Sequence, residues 1–356
     1  MATTEDFTVT PSSLGYNTNP DNTSNYYSDD YEDEMSNETS VVQSGAVFTP
    51  VFLSIVVVLS LLGNILVIVI LVKYENLRSL TNTFILNLAI SDLFFTTGLP
   101  FWAYYHVHGW TLGDVACKMV SFVFYVGYYS SSILLILMTI HRYVAVMNPL
   151  SDIVSATGFS SILTCVIIWV VSIGAAFPAL IVMTAQSGKY CEHPSSEWHL
   201  WGIYQQNIFF VVSSVVFTVC YSQIICRLLR PTAQRRRNRT IKLIFTLIVV
   251  FFVGWAPYNI VIFLQSLYSW PQQGIKSVAA YNKSYSQLHF PFYITRLLAY
   301  SHCCLNPVFY VFVGVKFKNH LKKMLKTLGH NNTNSIRNRQ SQLTITSHTS
   351  GEEFSV

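Results

Sequence analysis

Seven stretches of apolar residues, each at least ~20 long, recur along the chain at roughly 46–72, 80–105, 116–140, 160–183, 203–229, 241–268 and 288–313. Short polar links separate them. A backbone in lipid can satisfy its own polar groups in such segments only as a helix, so the pattern predicts an all-α, seven-transmembrane helix bundle over residues 45–315. The third stretch, from Cys117 to Arg142, contains no acid and no base other than Lys118 and His141. At a helical rise it carries Arg142 ~37 Å from Cys117, more than a ~30 Å hydrocarbon core. It therefore joins the two faces of a membrane. Residues 316–328 open with Phe317-Lys-Asn-His-Leu-Lys-Lys-Met-Leu-Lys326, the pattern of a short amphipathic helix (an eighth) lying on the membrane surface. Residues 1–44 and 329–356 are polar, with little to build a core, and are predicted to be disordered termini.

Composition agrees with this reading: 51% of the 356 residues are hydrophobic and only 11% are charged, too few to cover a soluble domain. The distribution of charge fixes the expected orientation. Residues 1–44 hold nine of the 17 acids and no Lys or Arg, which puts the N-terminus in the extracellular space. Basic residues follow span 1 (Lys73, Arg78), span 5 (Arg227 to Lys242) and span 7 (Lys316 to Lys326), which puts the C-terminus in the cytoplasm of a multi-pass plasma-membrane protein. The run after span 5 also suits contact with membrane lipids. No cleavable leader pattern precedes residue 45, so the first span is expected to act as its own insertion signal. Of seven cysteines only Cys117 and Cys191 fall at the outer surface, and they are the expected disulfide. Asn22, Asn37 and Asn282 head glycosylation sequons on the outer side, and Tyr26, Tyr27 and Tyr31 lie among five acids, a context that suits sulfation.

Some polar residues fall inside the spans. Asp92 is an intramembrane carboxylate, costly and therefore functional by default, or else a protonated hub of hydrogen bonds. Prolines interrupt spans 2, 6 and 7 at Pro100, Pro257 and Pro307, each predicting a bend. Arg296 lies eleven residues before Pro307, ~16 Å toward the outside. It is expected to face the water-filled pocket, or to pair with Asp114, Glu192 or Glu197.

Gly63-Asn64, Asn87 to Asp92, Cys117, His141-Arg142-Tyr143, Trp169, Tyr221, Trp255-x-Pro257 and Asn306-Pro307-x-x-Tyr310 stand each in its own span and in order. In this the chain resembles the rhodopsin-like G-protein-coupled receptors. The acidic tyrosine-bearing N-terminus, Trp102 after Pro100, Trp255-Ala-Pro-Tyr-Asn259 and Ser301-His-Cys-Cys-Leu-Asn-Pro307 resemble the chemokine receptors. His141 in place of Asp, Ser213, Arg296 and Val311 to Phe317 fit the XC (lymphotactin) branch of that family. The resemblance implies a ligand site at Tyr26, Tyr27, Tyr31, Trp102, Tyr104, Tyr258 and Arg296. It further implies an activation and G-protein-coupling set of Arg142, Tyr143, Tyr221, Trp255, Pro257, Asn306, Pro307 and Tyr310, and an allosteric sodium site at Asp92, Ser131 and Asn306. The second outer disulfide usual in the family is missing, since no Cys precedes Cys117 and none lies between Cys226 and Cys303.

The implied partners are a small basic secreted chemokine, a heterotrimeric G protein of the inhibitory class, and receptor kinases and arrestin at the Ser/Thr-rich tail. Neither an enzyme nor nucleic-acid binding is expected. There is no H-E-x-x-H or G-x-S-x-G motif, and seven unlike spans with one intramembrane Asp lack the repeats of many transporters. A chemokine-scavenging receptor without G-protein signalling is the alternative, because His141 replaces the acid before Arg142.

Overall fold

The computed structural model describes residues 25–77, 79–148, 159–186, 189–228, 237–269, 278–313, 317–324 and 326; within these the side chains of 25–46, 159–160, 186, 228, 237–244, 247, 268–269, 278–287, 289 and 309–313 lie outside the description. Ordered along the chain are α1 (Asn25–Tyr74), α2 (Leu80–His108), α3 (Gly113–Met147), α4 (Phe159–Val182), β1 (Thr184–Gln186), β2 (Tyr190–Glu192), α5 (Ser196–Leu228), α6 (Arg237–Ser269), α7 (Val278–Tyr300) and α8 (His302–Val313). A further helical stretch, α9, covers 317–324. The fold is the seven-span helical bundle that the hydrophobic pattern predicts, with a short helix after it.

Two units make up the chain, 1–47 and 48–356. In the first, the backbone is helical from Asn25, where composition predicted disorder over 1–44. No Pro or Gly occurs between residues 25 and 44, so nothing in the sequence interrupts local backbone hydrogen bonding there. Asn22 and the tail beyond 326 lie outside the described residues, as do the side chains of Tyr26, Tyr27, Tyr31, Asn37, Asn282 and Tyr310.

In the second unit six helices are long and apolar enough to cross a membrane among the described residues. The seventh span is α7 and α8 together, broken at Ser301, whose N–H is shared between the carbonyls of Leu297 (3.1 Å) and Leu298 (3.2 Å). α7 also begins ten residues earlier than hydropathy predicted, and α5 starts at Ser196 where a loop to about residue 202 was expected. Helices that protrude beyond lipid can be polar, so hydropathy marks the width of the membrane and not the ends of the helix.

α3 is the hub. It packs against α2, α4, α5, α6 and β1. Buried residues make up 67% of its most apolar stretch against 22% for α4, so α3 runs through the middle and α4 faces lipid. Close approach of α2 depends on Gly127, where a Cβ would collide with the backbone nitrogen of Phe95. α1 meets α8 in the same way: a Cβ on Gly63 would come within 2.8 Å of the Pro307 ring. Pro307 denies the Cys303 carbonyl its helical donor, and Asn64 Nδ2 of α1 donates to that oxygen instead at 2.9 Å. The proline thus becomes a joint between helices.

Candidate functional site

The functional residues fall at three levels along α3. At the Cys117 end, Cys117 and Cys191 form the expected disulfide, tying β2 to α3 with Cα atoms 5.6 Å apart. Trp110 is buried against this bridge, its indole donating to the Gly113 carbonyl at 2.9 Å. Gly109 turns the chain at φ 70°, a conformation that favours glycine, and lets Trp110 N–H reach the Lys189 carbonyl at 2.8 Å. Asp114 accepts the Ala185 N–H at 3.0 Å and pairs with Lys118 at 2.6 Å. His193 follows the hairpin, outside the spans. Burial, and then His199 beside it, push its ring down from 6.5 to about 4.

Beneath this outer layer, toward the middle of the bundle, stands a cluster of rings. Trp102 packs on Tyr105, Trp110 and Phe124. Tyr258 of α6 contacts Phe292 of α7 and Trp255. The Arg296 guanidinium lies 5.1 Å from the centre of the Phe292 ring and places Nη2 2.6 Å from His106 Nε2. No ion pair to an acid is made by Arg296 among the described residues; Asp114 is taken by Lys118. Tyr104 is not gathered with this group. It is exposed, hydrogen-bonded to Thr111 at 2.9 Å and in tilted ring contact with His108. Tyr105 and His106, which the sequence reading did not single out, occupy the inward face. Helical phase relative to Trp102 carries that information, since Tyr105 and His106 stand three and four residues on.

Mid-bundle, Asp92 is fully buried. Ser131 donates to Oδ1 at 3.1 Å and Asn306 Nδ2 to Oδ2 at 2.7 Å, so the three predicted residues meet. The polar seam continues through Thr96, whose hydroxyl donates to the Asp92 carbonyl at 2.6 Å, and Ser60, 2.6 Å from Thr96, to Asn64. Asn64 Oδ1 is buried without a hydrogen-bond partner among the described residues. A carboxylate, a hydroxyl and an orphaned amide oxygen are the donor chemistry that a hard cation takes. Trp255 roofs the seam, ringed by Tyr128 (4.5 Å), His302 (5.0 Å) and Phe95 (6.2 Å).

At the Arg142 end the guanidinium donates from Nη2 to Thr81 Oγ1 of α2 at 2.9 Å, while Nε is buried with no hydrogen-bond partner among the described residues. His141 is buried edge-on to Phe84, away from any carboxylate contact among the described residues. Tyr143 donates to Gln223 at 2.9 Å, and Tyr221 of α5 is buried against Phe245 of α6. A cleft of about 230 Å³ lined by Met147, Ser222, Gln223, Cys226 and Arg227 opens beside them. α9 docks nearby: His320 stacks on Tyr74 at 5.2 Å and reaches Glu75 at 3.1 Å. Thr81 as the partner of Arg142 had no signal in the sequence, because 61 residues separate them.

Seven spans around such an α3, ring-lined at one end and carrying at the other an arginine without an acid partner among the described residues, define a receptor class, and residues 63–310 match the family described as 7 transmembrane receptor (rhodopsin family). The chain is 42% identical over 308 residues to human (Homo sapiens) Chemokine XC receptor 1, covering 86% of this chain and 90% of that protein. To the mouse (Mus musculus) protein of the same name it is 42% identical over 306 residues, covering 83% and 89%. The chain thus belongs to the rhodopsin family of seven-transmembrane receptors and, within it, to the chemokine receptors, which are not enzymes.

Proposed function

We propose that this multi-pass receptor binds a small basic secreted chemokine of the XC (lymphotactin) type at its Cys117 end, outside the cell, and activates an inhibitory-class heterotrimeric G protein at its Arg142 end, inside. The observation that carries this reading is that α3, the hub of the bundle, lines up a ring cluster, the buried Asp92–Ser131–Asn306 group below Trp255, and Arg142 at successive levels from one end to the other. The charge distribution supports the orientation: an acidic N-terminal arm, made more negative by sulfation at Tyr26, Tyr27 or Tyr31, attracts a basic ligand over distance. Ligand and G protein then each favour one of two helix packings, and each strengthens the binding of the other. Receptor kinases and arrestin at the Ser/Thr-rich tail complete the partner set. Expression of the receptor and a screen of secreted chemokines for nucleotide exchange on inhibitory-class G protein tests it. Exchange by one chemokine supports the reading. Binding and uptake without exchange on any G protein would establish the scavenging alternative, which the missing acid beside Arg142 favours.

A sodium ion at Asp92, Ser131 and Asn306 would supply the counter-charge that a buried carboxylate lacks and would hold the resting packing. Agonist affinity should then be lower in sodium than in potassium chloride of equal strength, and Asp92→Asn should erase the difference. Equal affinities in the two salts would exclude the ion.

A further inference from the structure

Two histidines face each other where the hairpin meets α5. His193 follows β2 directly, two residues after Cys191, so the disulfide ties down the strand that carries it. His199 stands in the first turn of α5, where its N–H closes on the Ser195 carbonyl at 3.1 Å. The two ring centres lie 5.7 Å apart with their planes at 72°. His193 Nε2 rests over Gly202, 3.2 Å from where a Cβ would stand, and Gly202 lies three residues beyond His199 on the same face of the helix. The missing side chain lets the ring settle on that face.

Zinc held tetrahedrally by two imidazoles demands nearly this spacing. With Zn–N bonds of ~2.0–2.1 Å the ion lies ~3.2 Å from each ring centre, and an angle of ~110° at the metal puts the two centres ~5.2 Å apart. A small side-chain rotation covers the difference from 5.7 Å. The local charge favours a cation as well. From Tyr190 to Cys226 the chain carries two acids, Glu192 beside His193 and Glu197 near His199, and no Lys or Arg. Among the described residues no three His, Cys, Asp or Glu side chains converge, so the protein supplies two ligands and water the others. Structural zinc is held by four protein ligands, and a site with two exchanges its ion.

We propose that His193 and His199 are the two protein ligands of a reversible zinc site that pins the exit of the hairpin to the first turn of α5. The ion adds a removable link next to the covalent one at Cys191. This goes beyond the chemokine reading and does not depend on it.

The full-length receptor in lipid nanodiscs, first stripped with EDTA, is titrated with zinc chloride and followed by thermal unfolding and equilibrium dialysis. Zinc should raise the midpoint by about 2–4 °C, EDTA should reverse the rise, and magnesium, which prefers oxygen ligands, should not produce it. His193→Gln and His199→Gln should each abolish the rise and bind one zinc fewer per receptor, whereas His199→Asp, which keeps a zinc ligand, should retain part of it. An equal rise in all four proteins means zinc held elsewhere and overturns the proposal, as does the absence of any zinc-dependent rise in the unmodified receptor. Metal-free midpoints show whether each variant is folded, and for a variant whose midpoint has dropped the zinc count by dialysis decides: an unchanged count overturns the proposal.

Discussion

The two ends of α3 are built in opposite ways. At the Cys117 end a disulfide, a buried Trp110, the hydrogen bond from Ala185 N–H to Asp114 and a two-stranded hairpin fix the helix to its surroundings through covalent and short polar contacts. At the other end Arg142 rests, among the described residues, on a single hydroxyl, that of Thr81, with its Nε buried and unpaired among them and His141, packed on Phe84, beside it in place of a carboxylate. The difference teaches where the molecule can yield. One end of the hub is anchored by covalent and polar contacts, and the other is held, among the described residues, by one hydrogen bond. The two bundle arginines nonetheless share a feature: Arg296 above and Arg142 below each hydrogen-bond to one uncharged neighbour among the described residues.

Removing the anchor should have the largest effect. Cys191→Ser releases the hairpin, and the loss of ~2–5 kcal/mol typical for a native disulfide should abolish surface delivery and ligand binding together. Retention of high-affinity binding, read by labelled ligand on intact cells, would break the comparison at its firm end. Arg142→Gln is next. It should reduce G-protein nucleotide exchange by at least about tenfold, as expected for a lost charge-assisted contact of ~1.5–3 kcal/mol, while ligand binding outside persists. If exchange survives, the weakly held end is not the one that couples.

A smaller effect is expected from strengthening that end. His141→Asp places a carboxylate beside Arg142 and should lower basal exchange about two- to five-fold, the range set by an ion pair of ~0.5–1 kcal/mol. Basal exchange that stays level or rises counts against a loosely held Arg142. The smallest effect concerns the pH dependence of the anchored end. The folded protein protonates His193 only near pH 4, whereas the unfolded chain does so at the ordinary 6.5. Between those values the unfolded state binds more protons, so stability falls as pH falls from about 6.5 toward 4 and is unaffected above 6.5. Thermal unfolding at pH 5 and pH 7.5 should show this difference, and His193→Gln should narrow it.

Much of the fold was legible in the order of residues because lipid imposes a simple rule: a span must be apolar for about twenty residues and helical throughout. The same rule, with the count of cysteines at one surface, was enough to pair Cys117 with Cys191, and the in-span Asp92 announced itself by its cost. What sequence could not supply were the ends of helices outside lipid, the helix at Asn25, and the break of the seventh span at Ser301, since no membrane constrains the first two and tertiary hydrogen bonds shape the third. The partners of the two arginines were likewise out of reach. Thr81 meets Arg142 across 61 residues and His106 meets Arg296 across 190, and nothing in either local sequence signals the other. The chain by itself determined which residues must lie in the membrane and which charges are expensive there. Only the packing of the helices on one another decided which neighbours those charges would have, because helix phase and crossing angle, set by contacts such as Gly127 of α3 on Phe95 of α2 and Gly63 of α1 on Pro307 of α8, choose the partner.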